Sequence, residues 1–293
     1  MTVSPARAVN VVRYEDAQSF LAATRTFLMK HEVENGLLGV AMRVANDPVN
    51  DTPQYFAVVR ADGEIIGAAL SAVANRLMIT RIHGPDAVSA LAQDVLAAGV
   101  PVHGMAGPEP SIGELAFELA AHVGRKARRQ LRTRLLELRR VQLPEPMAPG
   151  RLRQATELDL PLAIQWVAEF EAAIGESGGD SEALARARIA SGALFIWQDD
   201  APVSMAARAR QTPNGVSINL VYTPRALRGR GYASACVGAL SQALLDQGNR
   251  FVCLFAEVDN KTSNGIYERL GYRYVSDSGQ YALEEDSDAS TAL

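Results

Sequence analysis

The stretch Val221–Ala235, VYTPRALRGRGYASA, alternates two glycines with two arginines and runs directly into a small-residue, helix-prone segment. From these residues alone three readings are open: a cradle for phosphate, an arginine-rich loop for nucleic acid, or a helix start that happens to be rich in arginine. What lies on either side of the stretch has to separate them.

The first N–H groups of a helix have no intrahelical partner and carry partial positive charge. Gly229 and Gly231 let the backbone wrap closely and adopt angles closed to other residues. Arg228 and Arg230 add full charge, while Ala233, Ser234 and Ala235 keep the helix start narrow. Such a junction suits a pyrophosphate or a similar anion. It lacks the Gly-Lys-Ser/Thr ending of a nucleotide P-loop, and no third glycine stands at dinucleotide-fold spacing. An arginine-glycine segment for nucleic acid would repeat within disorder; this one lies between a strand and a helix.

Outward from the loop, the second half gives a clear order. Helical spacing covers Leu158 to Ile174, and Ser181 to Ala190 predicts a shorter helix. ALFIWQ and PVSMAARAR flank the turn DDAP as a hairpin. Asn214-Gly215 predicts a tight turn into the strand VSINLVYT. A helix follows over Tyr232 to Leu245, then the strand RFVCLFAEV, a helix over Thr262 to Leu270, and two closing strands, YRYVSD and QYALE. This is a mixed α+β domain with one parallel strand–loop–helix–strand unit.

The first half repeats the order faintly. YFAVVRADGEIIGAAL predicts a hairpin with an Asp-Gly turn; NRLMITRI a strand; DAVSALAQDVLAAG a helix; VPVHGMAG a strand; SIGELAFELAAHVG a helix. Where the second half has its Arg-Gly loop, this half has only HGPDA. The pattern points to an internal duplication whose first copy lost the loop. Pro144, Pro146, Pro149 and Gly150 break all periodicity. They divide a domain over 1–143 from one over 151–283, with 144–150 as a stiff linker. The end, 284–293, is acidic and polar and is expected to be disordered.

Bulk properties exclude several classes. The 293 residues suit two domains of about 140. Net charge is −4, from 29 basic and 33 acidic residues, so no global field favours nucleic acid or an anionic membrane. The basic run Arg125–Arg140 places Arg125, Arg128, Arg129 and Arg132 on one face if helical, and a solvated or packed face is the plainer reading of it. Cys236 and Cys253 offer no zinc spacing and suit buried thiols. The beginning, MTVSPARAVNVVRYED, has no signal-peptide pattern, and no apolar run approaches a membrane span. A cytoplasmic protein without membrane or metal partners is expected, as a monomer or homodimer. The four histidines, His31, His83, His103 and His122, all lie in the first half, so chemistry in the second half uses no imidazole of its own.

The pattern Arg228-x-x-Gly231-x-Ala233 after a strand ending in VYTP resembles the acetyl-CoA loop of the GNAT (N-acetyltransferase) superfamily. Downstream, FAEVDNKTSNGIYERLGYRYVSD is similar to that superfamily's second signature. Within it, INLVYTP…RGRGYAS with IYERLGY resembles bacterial two-domain predicted acetyltransferases whose first half is a degenerate copy of the fold. The resemblance implies a tandem GNAT-like fold with a central mixed sheet in each half, acetyl-CoA as acyl donor, and an amine on a small molecule or peptide as acceptor. It further implies that amides of Arg228, Gly229, Arg230, Gly231, Tyr232, Ala233 and Ser234 hold the pyrophosphate. Main-chain groups of Leu220, Val221 and Tyr222 would pair with the pantetheine arm between splayed strands. Asn260 and Asn264 would contact the cofactor, and the Tyr267 hydroxyl would face the thioester sulfur as proton donor.

The chain departs from the superfamily where many relatives place a glutamate on the strand before the loop: here stands Asn219. Glu257, at the end of the next strand, is the nearest candidate base. Plainer roles stand beside these: Tyr267 as a core residue, Glu257 as a solvated strand end, and Asn260 and Asn264 as helix caps. The missing carboxylate keeps a second function open, a non-enzymatic acyl-CoA-binding sensor or assembly module.

Overall fold

A computed structural model describes residues 8–46, 54–72, 76–175 and 179–285. The chain divides into two compact units. One comprises Met1–Leu135 with Val275–Leu293; the other is Leu136–Tyr274. Most of the tail expected to be disordered, residues 286–293, lies outside the described residues.

The first unit runs β1 (Val9–Tyr14), α1 (Ala17–Lys30), α2 (Gly36–Asn46), β2 (Tyr55–Ala61), β3 (Glu64–Ser71), β4 (Arg76–Ile79), α3 (Pro85–Ala97), β5 (Gly104–Pro108), α4 (Ser111–Val123) and most of β6 (Lys126–Leu138). It takes its remaining strand, β12 (Arg273–Glu284), from the far end of the chain. The strand order is β1-β2-β3-β4-β5-β12-β6. The pair β4–β5 is parallel, and β12 lies antiparallel on β5 from Ser278↔Pro108 to Tyr281↔Met105. The Asp-Gly turn between β2 and β3 forms as its residues dictate, with Asp62 and Gly63 both at positive φ (51° and 85°).

Two expectations fail here. Arg125–Arg140 is not a helix: α4 ends at Gly124, left-handed at φ 63°, and the run becomes β6. As a strand its alternation buries Thr133 and Leu135. Its arginines meet acids of β12, with Arg132 Nη2 2.6 Å from Asp277 Oδ2 and Arg128 Nη1 3.4 Å from Glu284 Oε2. The positive field of a helical arginine face is therefore absent. The closing strands YRYVSD and QYALE form the single strand β12. The glycine between them makes no turn. Gly279 pairs with Gly107 in extended register, and a side chain there would collide with the Glu109 carboxylate.

The second unit contains β7 (Arg151–Gln154), α5 (Leu160–Ala173), α6 (Ser181–Ala190), β8 (Leu194–Asp199), β9 (Ala201–Gln211), β10 (Gly215–Tyr222), α7 (Tyr232–Asp246), β11 (Phe251–Glu257) and α8 (Lys261–Leu270). Its strand order is β11-β10-β9-β8-β7, antiparallel except for β10–β11. Alternation sends Val216, Ile218, Val252, Leu254 and Ala256 into one core beneath α7 and α8. Met205, Ala207, Leu220 and Tyr222 enter the other, beneath α5 and α6. Trp166 and Trp197 are core residues, and Cys236 and Cys253 are buried free thiols. The proline-rich stretch has no regular structure and packs within this unit: Trp197 Nε1 donates to Pro149 O at 2.8 Å, and the Gln142 amide to Leu270 O at 2.9 Å. The division between units falls instead at Leu135/Leu136.

At the start of α5, Arg153 grips Asp159 with two hydrogen bonds of 2.7 and 2.8 Å, and the Thr156 amide donates to the same carboxylate at 2.8 Å. The bond from Arg153, reinforced by Thr156, holds the Asp159 carboxyl down to about 2. A carboxyl lowered in the folded state contributes stability above its ordinary value, and that contribution is lost as pH falls from about 4 toward 2. Asp159→Asn is expected to destabilise the chain by about 2 kcal/mol at neutral pH and to flatten the acid limb between those values. Chemical denaturation across pH measures both.

Candidate functional site

In the second unit, β10 and β11 pair only from Gly215↔Phe251 to Ile218↔Leu254. Both strands run on, to Tyr222 and Glu257, so their ends part. The pairing stops where Leu220 takes a left-handed φ of 49° and the register against β9 slips between Asn219 and Tyr222. A non-glycine residue in that region costs about 1–3 kcal/mol. Burial of the Leu220 side chain in the core beneath α5 holds it there. Bulges of this kind bend a strand and re-aim its side chains.

Beyond Tyr222 the chain leaves through Thr223, Pro224 and a short 3-10 turn, Arg225–Leu227, into the exposed loop Arg228–Gly231. Gly229 and Gly231 sit at φ 77° and 83°, angles that require glycine in a loop this tight. Their amides and that of Arg230 make no backbone hydrogen bond among the described residues. No side chain caps α7, so the first-turn amides of Tyr232, Ala233 and Ser234 also lack a capping acceptor. Six consecutive N–H groups thus converge at a helix N-terminus, an arrangement able to hold a diphosphate.

The side chains around this loop brace it. Arg228 Nε donates to Thr223 O at 3.0 Å, and its guanidinium lies 5.9 Å from the Tyr222 ring centroid. Arg230 is exposed. Tyr232 is buried, and its hydroxyl donates to Asp199 Oδ2 at 2.6 Å, a bond that raises its pKa. Tyr232 therefore offers a ligand only its amide. The Tyr222 carbonyl already accepts from Ser204 Oγ at 3.0 Å. Leu220 and Val221 lie beyond the last β10–β11 pair.

On the other side of the gap, Asn260 caps α8 by accepting from the Ser263 amide at 3.0 Å. The Asn264 amide donates to Glu257 O at 2.8 Å and Asn260 O at 2.9 Å, which fixes the β11–α8 turn. Asn260 is thus a helix cap, while the Asn264 side chain shapes the turn. Glu257 is half-buried at the end of β11. Tyr267 is buried at 6% exposure in the core beneath α7, edge-on to Tyr272 with centroids 5.7 Å apart. Its hydroxyl makes no hydrogen bond to a described residue, and burial pushes its pKa above the ordinary tyrosine value.

One residue had no signal in the sequence. Glu169 of α5 accepts from the Tyr222 hydroxyl at 2.5 Å and from Gln165 Nε2 at 2.8 Å, and the bond from Tyr222 lowers its pKa. Helical spacing marks α5 as amphipathic, but nothing in it singles out this carboxylate. Asn219, the position without the superfamily's glutamate, is exposed on β10.

The first unit has the same frame with the gap closed. Beyond β4, the Ile82 amide donates to Ser111 Oγ at 3.0 Å, and Ser111 Oγ donates to Ile82 O at 2.8 Å. Arg81 Nη1 donates to Glu109 O at 3.0 Å. These bonds stitch the segment after β4 to the segment after β5. Pro85 removes one amide from the first turn of α3, and Asp86 adds negative charge there. A calorimetric titration with acetyl-CoA is therefore expected to give one site per chain; a second site of comparable affinity would contradict this.

Comparison with known proteins finds the same fold. The family described as FR47-like protein matches residues 196–280. A GCN5-related N-acetyltransferase from Sphaerobacter thermophilus aligns at 17% identity over 96% of each chain, with a TM-score of 0.59. A tandem GNAT protein from the clavulanic acid biosynthesis pathway aligns at 14% identity over 96% of this chain and 100% of its own, TM-score 0.56. A GNAT-family acetyltransferase from Colwellia psychrerythraea aligns at 11% identity over 94% of this chain and 100% of its own, TM-score 0.59. No curated protein sequence matches the chain. The chain carries the GNAT acetyltransferase fold in tandem. Within its C-terminal part, residues 196–280 are similar to the FR47-like family. No helix among the described residues is long and apolar enough to cross a membrane.

Proposed function

We propose that the chain is an acetyl-CoA-dependent N-acetyltransferase whose second unit carries the reaction and whose first unit is a degenerate copy. The observation that carries this reading is the coincidence, at one end of the β10–β11 pair, of strand separation with a bare helix N-terminus. The amides from Gly229 to Ser234 hold the pyrophosphate; the Arg228 amide is taken by Arg225 O at 3.4 Å. Leu220, Val221 and Tyr222 border the pantetheine arm, with Asn260 and Asn264 shaping the turn beside it. The acceptor nitrogen attacks the thioester carbon and the C–S bond breaks. Tyr267 donates its proton to the departing sulfur and regains one from solvent. A backbone N–H at the parted end of β10 polarises the carbonyl.

The amine must lose a proton before or during attack. Glu257 takes it through water. Glu169 suits this task poorly, because the bond from Tyr222 stabilises its ionised form and weakens it as a base. Its place is to anchor Tyr222 and with it the end of β10.

The exposed Asn219, where the resemblance leads one to expect a carboxylate, favours a second reading: an acyl-CoA-binding sensor or assembly module without turnover. Calorimetry with acetyl-CoA, followed by thiol release across a panel of amines and peptides, separates the two. Failure to bind acetyl-CoA at millimolar concentration rejects both.

A further inference from the structure

Arg210 stands near the end of β9, and its own amide donates to Ser217 Oγ on β10 at 3.0 Å. Its side chain crosses β10 to β11, where the guanidinium carbon lies 5.2 Å from the ring centroid of Phe255 and interacts with Cys253. Ser217 and Cys253 oppose one another in the parallel register, and Ile218↔Leu254 is the last pair. Phe255 is therefore the first residue of β11 past the point of separation. Val216, Ile218, Val252 and Leu254 point into the core beneath α7, so alternation puts Ser217, Cys253 and Phe255 on the opposite face. The guanidinium thus sits at the crotch of the parted strands, on the face away from the glycine loop. Exposed Phe255 and Asn219 keep that face open.

Several other arginines of this unit have partners. Arg153 has Asp159, Arg186 has Glu182, Arg139 has Glu137, and Arg228 has a main-chain carbonyl. Arg210 has no acid within ion-pair distance and no side-chain hydrogen bond among the described residues, although the side chain is half-buried. Burial disfavours its charged form, an effect that Cys253 offsets only in part. A guanidinium over an aromatic face keeps its N–H groups in its own plane, directed outward as a fork that fits one carboxylate with two parallel bonds.

We propose that Arg210 binds a carboxylate of the acceptor, so that the amine acetylated belongs to a molecule carrying a free carboxylate, such as an amino acid or a peptide end. This rests on the acyl-transfer reading: acetyl-CoA enters from the α7 side, and the acceptor from the opposite face. One guanidinium balances one negative charge, and its edge holds the acceptor while leaving the amine free to reach the gap.

The test uses the full chain and the Nε–Hε resonance of Arg210, assigned by its loss in Arg210→Met. Methionine keeps an unbranched side chain over Phe255. N-Acetylglycine, N-acetyl-leucine and N-acetyl-glutamate are titrated against the matching amides, without acetyl-CoA. A saturable shift with at least one acid, about tenfold or more weaker with its amide and absent in Arg210→Met, supports the site. Equal response to acid and amide, or no response to any acid, overturns it. In parallel, free amino acids and their amides serve as acceptors with acetyl-CoA. Arg210→Met is expected to lower kcat/KM for the acids about tenfold or more, leaving that for the amides and the acetyl-CoA affinity unchanged. An acid-to-amide ratio unaltered by the substitution also overturns the site. Carboxylate binding without acetyl-CoA binding would reject the acyl-transfer reading instead, so the two failures are distinct.

Discussion

Gly231→Trp is expected to raise the Kd for acetyl-CoA about a hundredfold or more while the chain stays folded. Gly231 is at φ 83° and caps α7 with its backbone alone. A tryptophan there distorts the cradle and lays an indole across amides that, on the proposed reading, hold a pyrophosphate. Each charged hydrogen bond lost is worth about 1.5–3 kcal/mol, and two of them account for the expected factor. The cost to folding is smaller, of order 1–3 kcal/mol for a side chain forced to that angle. Gly231→Ala separates the two effects. Its added methyl meets only the Ala148 Cβ at 3.4 Å, ordinary contact. It should therefore lose part of the stability and much less of the binding. Isothermal titration and thermal melts of both variants check the expectation. Unchanged affinity in a folded Gly231→Trp protein would remove the loop from the cofactor site.

Tyr267→Phe is expected to lower kcat about a hundredfold or more, with acetyl-CoA affinity and stability nearly unchanged. A buried tyrosine normally hydrogen-bonds its hydroxyl, and replacing it then leaves an orphaned partner. Tyr267 has no such partner among the described residues, so the deletion costs the fold little. A purely structural tyrosine would leave kcat intact. The pH dependence sharpens this. A proton donor works while protonated, and burial raises the Tyr267 pKa above the ordinary value near 10. Its active form therefore persists throughout the neutral and mildly alkaline range. A loss of rate as pH rises through 8 or 9 in the wild type would have to come from another group.

Much of this was legible in the sequence, and the exceptions have physical causes. In the second half, apolar periodicity and the turns DDAP and Asn214-Gly215 locate the helices α5 to α8 and the strands β8 to β11, because local geometry decides them, while the short strand β7 gave no signal. The glycine loop was equally plain, since only glycine accepts φ 77° and 83° at no cost. The basic run misled because arginine suits helices, and in β6 the buried alternation emerges only from Thr133 onward, after five exposed residues among Lys126–Arg132. The Leu220 bulge had no signal, since leucine is a residue that propensity keeps out of the left-handed region. Glu169 and Arg210 gain meaning only from what lies across from them, Tyr222 in one case and Phe255 two strands away in the other. Their partners are distant in sequence, and no local pattern encodes them. The cradle could be read; the side chains across from it could not.

The strand β12 sets the order in which the chain can acquire its structure. The first unit lacks one of its strands until residues 275–284 arrive, and Gln280 takes its place beside Ala106 across more than half the length of the chain. During synthesis the first unit must wait, with β5 unpaired at its edge, while the whole second unit emerges. An unpaired edge is a template for wrong partners, and contacts this distant in sequence form slowly. The second unit has its strands β7 to β11 in hand first, so it is the part able to mature early. Premature termination near residue 270 would leave a nearly finished second unit attached to an incomplete companion, a species fitted for surveillance by chaperones more than for use.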